Sequence, residues 1–172
     1  LAALGDEFYA ALFAMAPDLP GTLFKGTDVK AQAVRTMTMI NAAVGLLDDE
    51  SGALVAELRA LGARHAGYGA ESAHLPVVGQ ALMSVLGRRL GDKLTPAAAD
   101  AWGAVYAVIS QAMTEGMSSP EGAAQARAYR ERLAAKDAPT PRALVQRTWK
   151  LVSGDLAALG DEFYAALFAM AP

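Results

Sequence analysis

Apolar residues recur along this chain at spacings of three and four, the period of helices that bury one face. Leu1, Leu4, Phe8, Leu12 and Met15 form the first stripe, and the breakers from Pro17 to Gly21 close it, which predicts a helix of about 15 residues. Thr27-Asp28 offers a cap for a second helix running through Val44-Gly-Leu-Leu. The polar run Asp48-Asp-Glu-Ser-Gly52 separates it from a third through Leu54, Leu58 and Leu61 to His65. A glycine-rich loop is expected over 67–76, then a helix over 77–90, a break at Gly91-Asp-Lys, and a helix opened by Thr95-Pro96 and reaching Met113. Ser118-Ser-Pro-Glu-Gly122 reads as a further interruption, and the charged segment Ala123 to Lys136 as a solvated helix or linker with no partner. Asp137-Ala-Pro-Thr-Pro141 starts a last helix with Leu144, Val145, Trp149 and Val152 on one face. β-branched runs are short and no strand is expected, so the fold class is all-α.

The pattern then repeats itself. Residues 1–17 return letter for letter as 156–172, so the unique sequence is 172 − 17 = 155 residues and the period is 156 − 1 = 155. That period is too long for a solenoid and suits a whole domain.

Composition narrows the function classes. With 53% hydrophobic and 19% charged residues the chain can bury a core, which excludes a disordered protein. A net charge of −3 argues against nucleic-acid binding, which needs a surplus of Lys and Arg. No apolar window of membrane-spanning length and no signal segment is evident, so a soluble, cytoplasmic protein is expected. The absence of cysteine removes disulfides, thiolate metal sites and Cys nucleophiles together.

Four stretches resemble the globins, specifically bacterial single-domain globins and the haem domain of flavohaemoglobins, with likeness to neuroglobin as well. They are Phe8-Tyr-Ala-Ala-Leu-Phe through Thr22-Leu-Phe24; Gln32-Ala-Val-Arg-Thr-Met through Val44; Leu61-Gly-Ala-Arg-His65 with His74-Leu-Pro-Val-Val-Gly79; and Leu94-Thr-Pro through Trp102-Gly-Ala-Val-Tyr106. The resemblance implies haem b held by His65 as the axial ligand of iron, with the other ring nitrogen donating to a backbone carbonyl near Leu61. It places Tyr9, or its copy Tyr164, and Gln32 over the vacant coordination position, with Thr36 one turn beyond. O2, NO and CO are the implied ligands. A phenol and a carboxamide can each donate to a bound dioxygen that carries partial superoxide charge. Phe24, Leu61, Val78, Leu82 and Tyr106 would wall the macrocycle, although packing of a core without any cofactor remains an alternative for all of them. Arg35 would reach a haem propionate or stand as a plain surface arginine. Trp102 and Trp149 read as helix-packing anchors, and His74 as a surface or haem-edge residue.

Two positions depart from flavohaemoglobins: Leu75 and Met117 stand where a tyrosine and a glutamate buttress the proximal histidine. That weakens the expectation of a dedicated nitric-oxide dioxygenase, leaving it a side activity that needs an external reductase. The order departs too. Residues 140–155 resemble the first globin helix, so the resemblance implies a globin circularly permuted between its first and second helices. On this reading 1–138 carry the second to last helices and a charged linker, 139–155 the first helix, and 156–172 a second copy of the second helix. An engineered or tandem scaffold in which that copy drives domain swapping or homo-oligomer assembly stays open, as does a haem-free sensor module.

Overall fold

A computed structural model describes residues 2–47, 52–152 and 162. Seven α-helices occupy them: α1 (Ala2–Met15), α2 (Val29–Gly45), α3 (Ala53–Ala66), α4 (Leu75–Leu90), α5 (Pro96–Ser118), α6 (Pro120–Asp137) and α7 (Pro141–Val152). Short 3-10 turns lie at Leu19–Gly21, Ser72–His74 and Gly91–Lys93, and no strand occurs among the described residues. No helix among the described residues is long and apolar enough to cross a membrane.

The starts of the helices follow from local chemistry. The Asp28 carboxylate accepts the Ala31 N–H at 3.1 Å, the Thr95 hydroxyl the Ala98 N–H at 3.3 Å, and the Thr140 hydroxyl the Ala143 N–H at 3.2 Å. Each satisfies an amide that the first turn of a helix leaves without an intrahelical partner. Three boundaries differ from the sequence pattern. α4 begins at Leu75 because Pro76 sits in the first turn, where its missing N–H costs nothing. α5 runs on to Ser118 because the interruption shrinks to Ser119, whose hydroxyl donates to the Gly116 carbonyl and accepts the Gly122 N–H. α6 therefore starts at Pro120, and Gly122 is buried against the end of α5 rather than solvated.

Two units can be distinguished, residues 1–131 and 132–172. In the first, α1 packs on α2 and α4, α3 packs on α5, and α4 also meets α5. Phe8, Leu12 and Met37 are each only 2% exposed, and Ala33, Ala81 and Val85 fully buried. Complete burial of side chains such as Phe8, Leu12 and Met37 contributes roughly 1.5–3 kcal/mol each. In the second unit, α7 exposes the face that its sequence makes apolar: Leu144, Val145 and Trp149 are 45%, 67% and 52% exposed. Among the described residues Trp149, expected as a packing anchor, is thus left exposed. Trp102, by contrast, packs against the core of the first unit. Residues 156–172, including Tyr164, lie outside the described residues apart from Glu162.

The crossing of α3 and α5 depends on missing side chains. A Cβ on Gly62 would strike the Met113 carbonyl and one on Gly116 the Arg59 carbonyl. Gly62→Ala should therefore lower stability in urea unfolding by about 1–3 kcal/mol, since the two backbones must move apart. Gly103, on the open side of α5, has no atom within 4 Å of a built Cβ. Gly103→Ala should stabilise by roughly 0.5–1 kcal/mol through helix propensity.

Candidate functional site

The last turn of α3 carries His65, half-buried. Its Nδ1 lies 2.9 Å from the Leu61 carbonyl oxygen one turn earlier. A carbonyl only accepts, so Nδ1 holds the proton and Nε2 is left with its lone pair. That tautomer gives the imidazole one nitrogen fixed by the protein and one free to ligate a metal. Burial lowers the pKa of His65 from its ordinary value, with the nearby Arg64 charge acting in the same direction and the Leu61 hydrogen bond opposing. The ring is kept neutral, the form that binds a metal.

This shift sets a pH dependence. The unfolded chain takes up a proton near pH 6.5, whereas the folded His65 resists it, so the unfolded state binds more protons in between. Stability attached to neutral His65 is complete above about pH 6.5 and is lost as pH falls from there through the depressed folded value. Urea midpoints of the haem-free chain between pH 8 and 5 should show this loss, and a His65→Gln variant should lack it.

A second group forms where α1 meets α2. Tyr9 is 5% exposed, and its hydroxyl is 3.0 Å from the Thr36 hydroxyl. Burial raises the phenol pKa, partly opposed by side-chain hydrogen bonds to Thr36 and to Gln32. Gln32 and Thr36 stand four residues apart on α2 and so share a face. Phe24 meets the Tyr9 ring edge-on at 5.4 Å and Phe13 at 5.3 Å, closing the apolar side of the group. If Thr36 donates to the Tyr9 oxygen, the phenol proton remains available to a third acceptor.

Of the residues expected to line a site, Phe24, Val78, Leu82 and Tyr106 lie in or against the core cluster that contains Tyr9. Leu82 is 6% exposed; Phe24, Val78 and Tyr106 are half-buried. The Tyr106 hydroxyl donates to the Leu75 carbonyl at 2.6 Å, and burial pushes its pKa up to about 12. Its polar end is thus occupied by backbone, leaving only the ring as a wall. Leu61 and His65 stand instead on α3, which packs on α5. Arg35 is exposed on α2. His74 accepts the Glu71 N–H on Nδ1 at 2.9 Å while Glu71 accepts the His74 N–H, a reciprocal cap of the turn before α4 that accounts for this histidine locally. Leu75 is 7% exposed and Met117 half-buried, so neither places a charged or hydroxyl group near His65.

Pattern reading overlooked the segment after His65. The His65 carbonyl accepts the N–H groups of both Tyr68 and Ala70, and Gly69 has a positive φ of 87°. The Tyr68 ring meets the His65 ring at 5.9 Å. The glycines at 67 and 69 were the available signal, but they read as a loop.

Among the described residues no three His, Cys, Asp or Glu side chains converge to hold a metal ion. A lone imidazole suits a metal that brings its other ligands with it. Comparison with known proteins bears on which kind. Residues 6–113 match the globin family. The chain is also 32% identical over 109 residues to a flavohemoprotein of Bacillus subtilis (strain 168), an alignment covering 62% of this chain and 27% of that relative. The aligned part is thus about a quarter of the relative's length. The family match over residues 6–113 spans both His65 and the Tyr9–Gln32–Thr36 group, and the chain belongs to the globin family.

Proposed function

We propose that this globin binds haem b through His65 and reversibly binds O2, with NO and CO as alternative ligands. The observation that carries the reading is the Nδ1 contact of His65 with the Leu61 carbonyl, which leaves Nε2 as the ligating atom. The donor set suits the group in its chemistry: a neutral imidazole on α3 and, where α1 meets α2, a buried phenol with an amide and a hydroxyl beside it. Haem supplies a ferrous iron with a position for a diatomic ligand. The chain supplies the rest. With haem bound, Tyr9 and Gln32 would donate hydrogen bonds to the diatomic ligand, Thr36 would hold the Tyr9 oxygen, and Phe24, Leu61, Val78, Leu82 and Tyr106 would wall the group with apolar surface. Arg35 is the candidate partner of a propionate, since its exposure leaves the guanidinium free to swing. Gln32 is a poor ligand for iron where a histidine would be a good one, so the ligand's position stays open. The test is an oxygen equilibrium on the reduced, reconstituted chain: full reversal on removing oxygen supports the reading, and immediate irreversible oxidation contradicts it.

Nitric-oxide dioxygenation belongs to this proposal as a side activity dependent on an external reductase. With Leu75 and Met117 where flavohaemoglobins carry a tyrosine and a glutamate, neither position adds negative charge to the imidazole.

A second reading, favoured by the repeat, concerns order. Residues 139–155 would be the first globin helix, 1–138 the remaining helices with their linker, and 156–172 a second copy of α1. The exposed apolar face of α7 supports it, because a helix with Leu144, Val145 and Trp149 on one side is built to be covered. Each chain would then hold two copies of α1 and one place for it. The surplus copy would favour domain swapping or pairing between chains over exposure to water.

A further inference from the structure

We infer that Tyr129 is a positioning residue for His65, acting through the glycine turn that follows the histidine. This inference rests on His65 being the haem ligand, but the contact itself is a property of the polypeptide. Charge makes α6 look like a solvated helix, yet Gly122, Gln125, Ala126 and Tyr129 are the positions its first three turns withdraw from water. Their spacing of three or four places them on one face. The Ser119 hydroxyl fixes where that face points, by capping the Gly122 N–H while donating to the Gly116 carbonyl. A Cβ on Gly122 would lie 2.5 Å from the Met117 carbonyl oxygen, so α6 leaves α5 at a sharp, closely packed angle.

The same face lands on the segment after α3. A Cβ on Gly67 would lie 2.6 Å from the Gln125 side-chain oxygen, and one on Gly69 2.6 and 2.7 Å from two ring carbons of Tyr129 and 2.9 Å from its hydroxyl oxygen. Gly69 has two reasons to be glycine: the positive φ of 87° and the ring pressed against its Cα. The turn so pressed is the one whose Tyr68 and Ala70 amides bond the His65 carbonyl, both at 3.0 Å. The imidazole is then held at two points, its ring by the Leu61 carbonyl and its backbone by a turn that Tyr129 backs. Loosening the second would let the histidine plane rock about the first. A ligand with more freedom of orientation gives iron a wider range of iron–nitrogen geometries.

The experiment compares the full chain with its Tyr129→Ala, Tyr129→Phe and Gln125→Ala variants. In the haem-free chains, amide hydrogen exchange at Tyr68, Gly69 and Ala70 should be about tenfold faster in Tyr129→Ala, unchanged in Tyr129→Phe, which keeps the ring, and intermediate in Gln125→Ala. Exchange within α1 and α2 should not change. Equal acceleration in every helix would mean that Tyr129 merely adds global stability, and no acceleration at the turn would mean that it backs nothing; either overturns the inference. If Tyr129→Ala does not fold, Gln125→Ala decides on the same two criteria. In reconstituted ferrous chains, the iron–histidine stretching band should broaden or shift in Tyr129→Ala and match wild type in Tyr129→Phe; an unaltered band in Tyr129→Ala also overturns it. Absence of that band from wild type itself would count against the haem reading, while the exchange data would still judge the brace.

Discussion

Replacing His65 with alanine is expected to abolish specific haem binding. The imidazole keeps a nitrogen lone pair to donate, and its orientation is set by a backbone carbonyl that no side-chain substitution removes. Loss of an outer partner of a metal-binding histidine costs about 10–100-fold in affinity, so loss of the ligand itself should exceed about 100-fold. Haem titration of His65→Ala, followed by absorbance, reads this directly, and free imidazole should restore the ligated spectrum in part. His74→Ala is the control. Its imidazole is committed to the Glu71 N–H, so haem affinity should be unchanged and only the turn at Ser72–His74 weakened. A larger loss in His74→Ala than in His65→Ala would reverse the assignment.

The second large effect concerns the group where α1 meets α2. Tyr9→Phe removes a hydroxyl that is buried beside Thr36 and Gln32. A charge-assisted hydrogen bond contributes roughly 1.5–3 kcal/mol, so the oxygen dissociation rate should rise about ten- to a hundredfold. The ring itself stays, packed edge-on against Phe8 and Phe24, so stability should change little beyond the loss of the Thr36 bond. The repeat makes this experiment more informative than usual. Tyr164 lies in an identical sequence, and side-chain chemistry alone cannot tell the copies apart. Continuity can: residues 1–17 lead directly into Leu19 and Phe24, whose packing closes the Tyr9 group. Stopped-flow oxygen release should therefore be fast in Tyr9→Phe and unaltered in Tyr164→Phe. The opposite pattern would put 156–172 in the site, and equal partial effects would mean that both copies exchange through it.

Much of this was legible in the residues because it depends on local chemistry. Asp28 and Thr95-Pro96 announce their helices by capping amides within three residues, and a histidine in a last helical turn reaches the carbonyl four residues back. The expectation for Thr36 was a place near a ligand; the contact of its hydroxyl with Tyr9, 27 residues apart, depends on how α1 crosses α2 and was not legible. Features set between helices were least legible. Ser118-Ser-Pro-Glu-Gly122 has the composition of a loop, yet one serine caps across the break and lets α5 and α6 nearly abut. The charges of α6 conceal a face made of glycine, alanine, glutamine and tyrosine, which hydrophobic periodicity scarcely registers. Trp149 misled in the other direction, since an amphipathic pattern states a demand for burial without saying that one unit meets it.

The most direct measurement of the central claim is a haem titration of the wild-type chain, followed at the Soret band and completed by a spectrum of the ferrous form. A globin ligated by His65 should saturate at one haem per chain, with a sharp Soret band and a five-coordinate ferrous spectrum that carbon monoxide shifts. A broad, non-saturating band with no carbon monoxide response would contradict the account and favour a globin fold that works without haem.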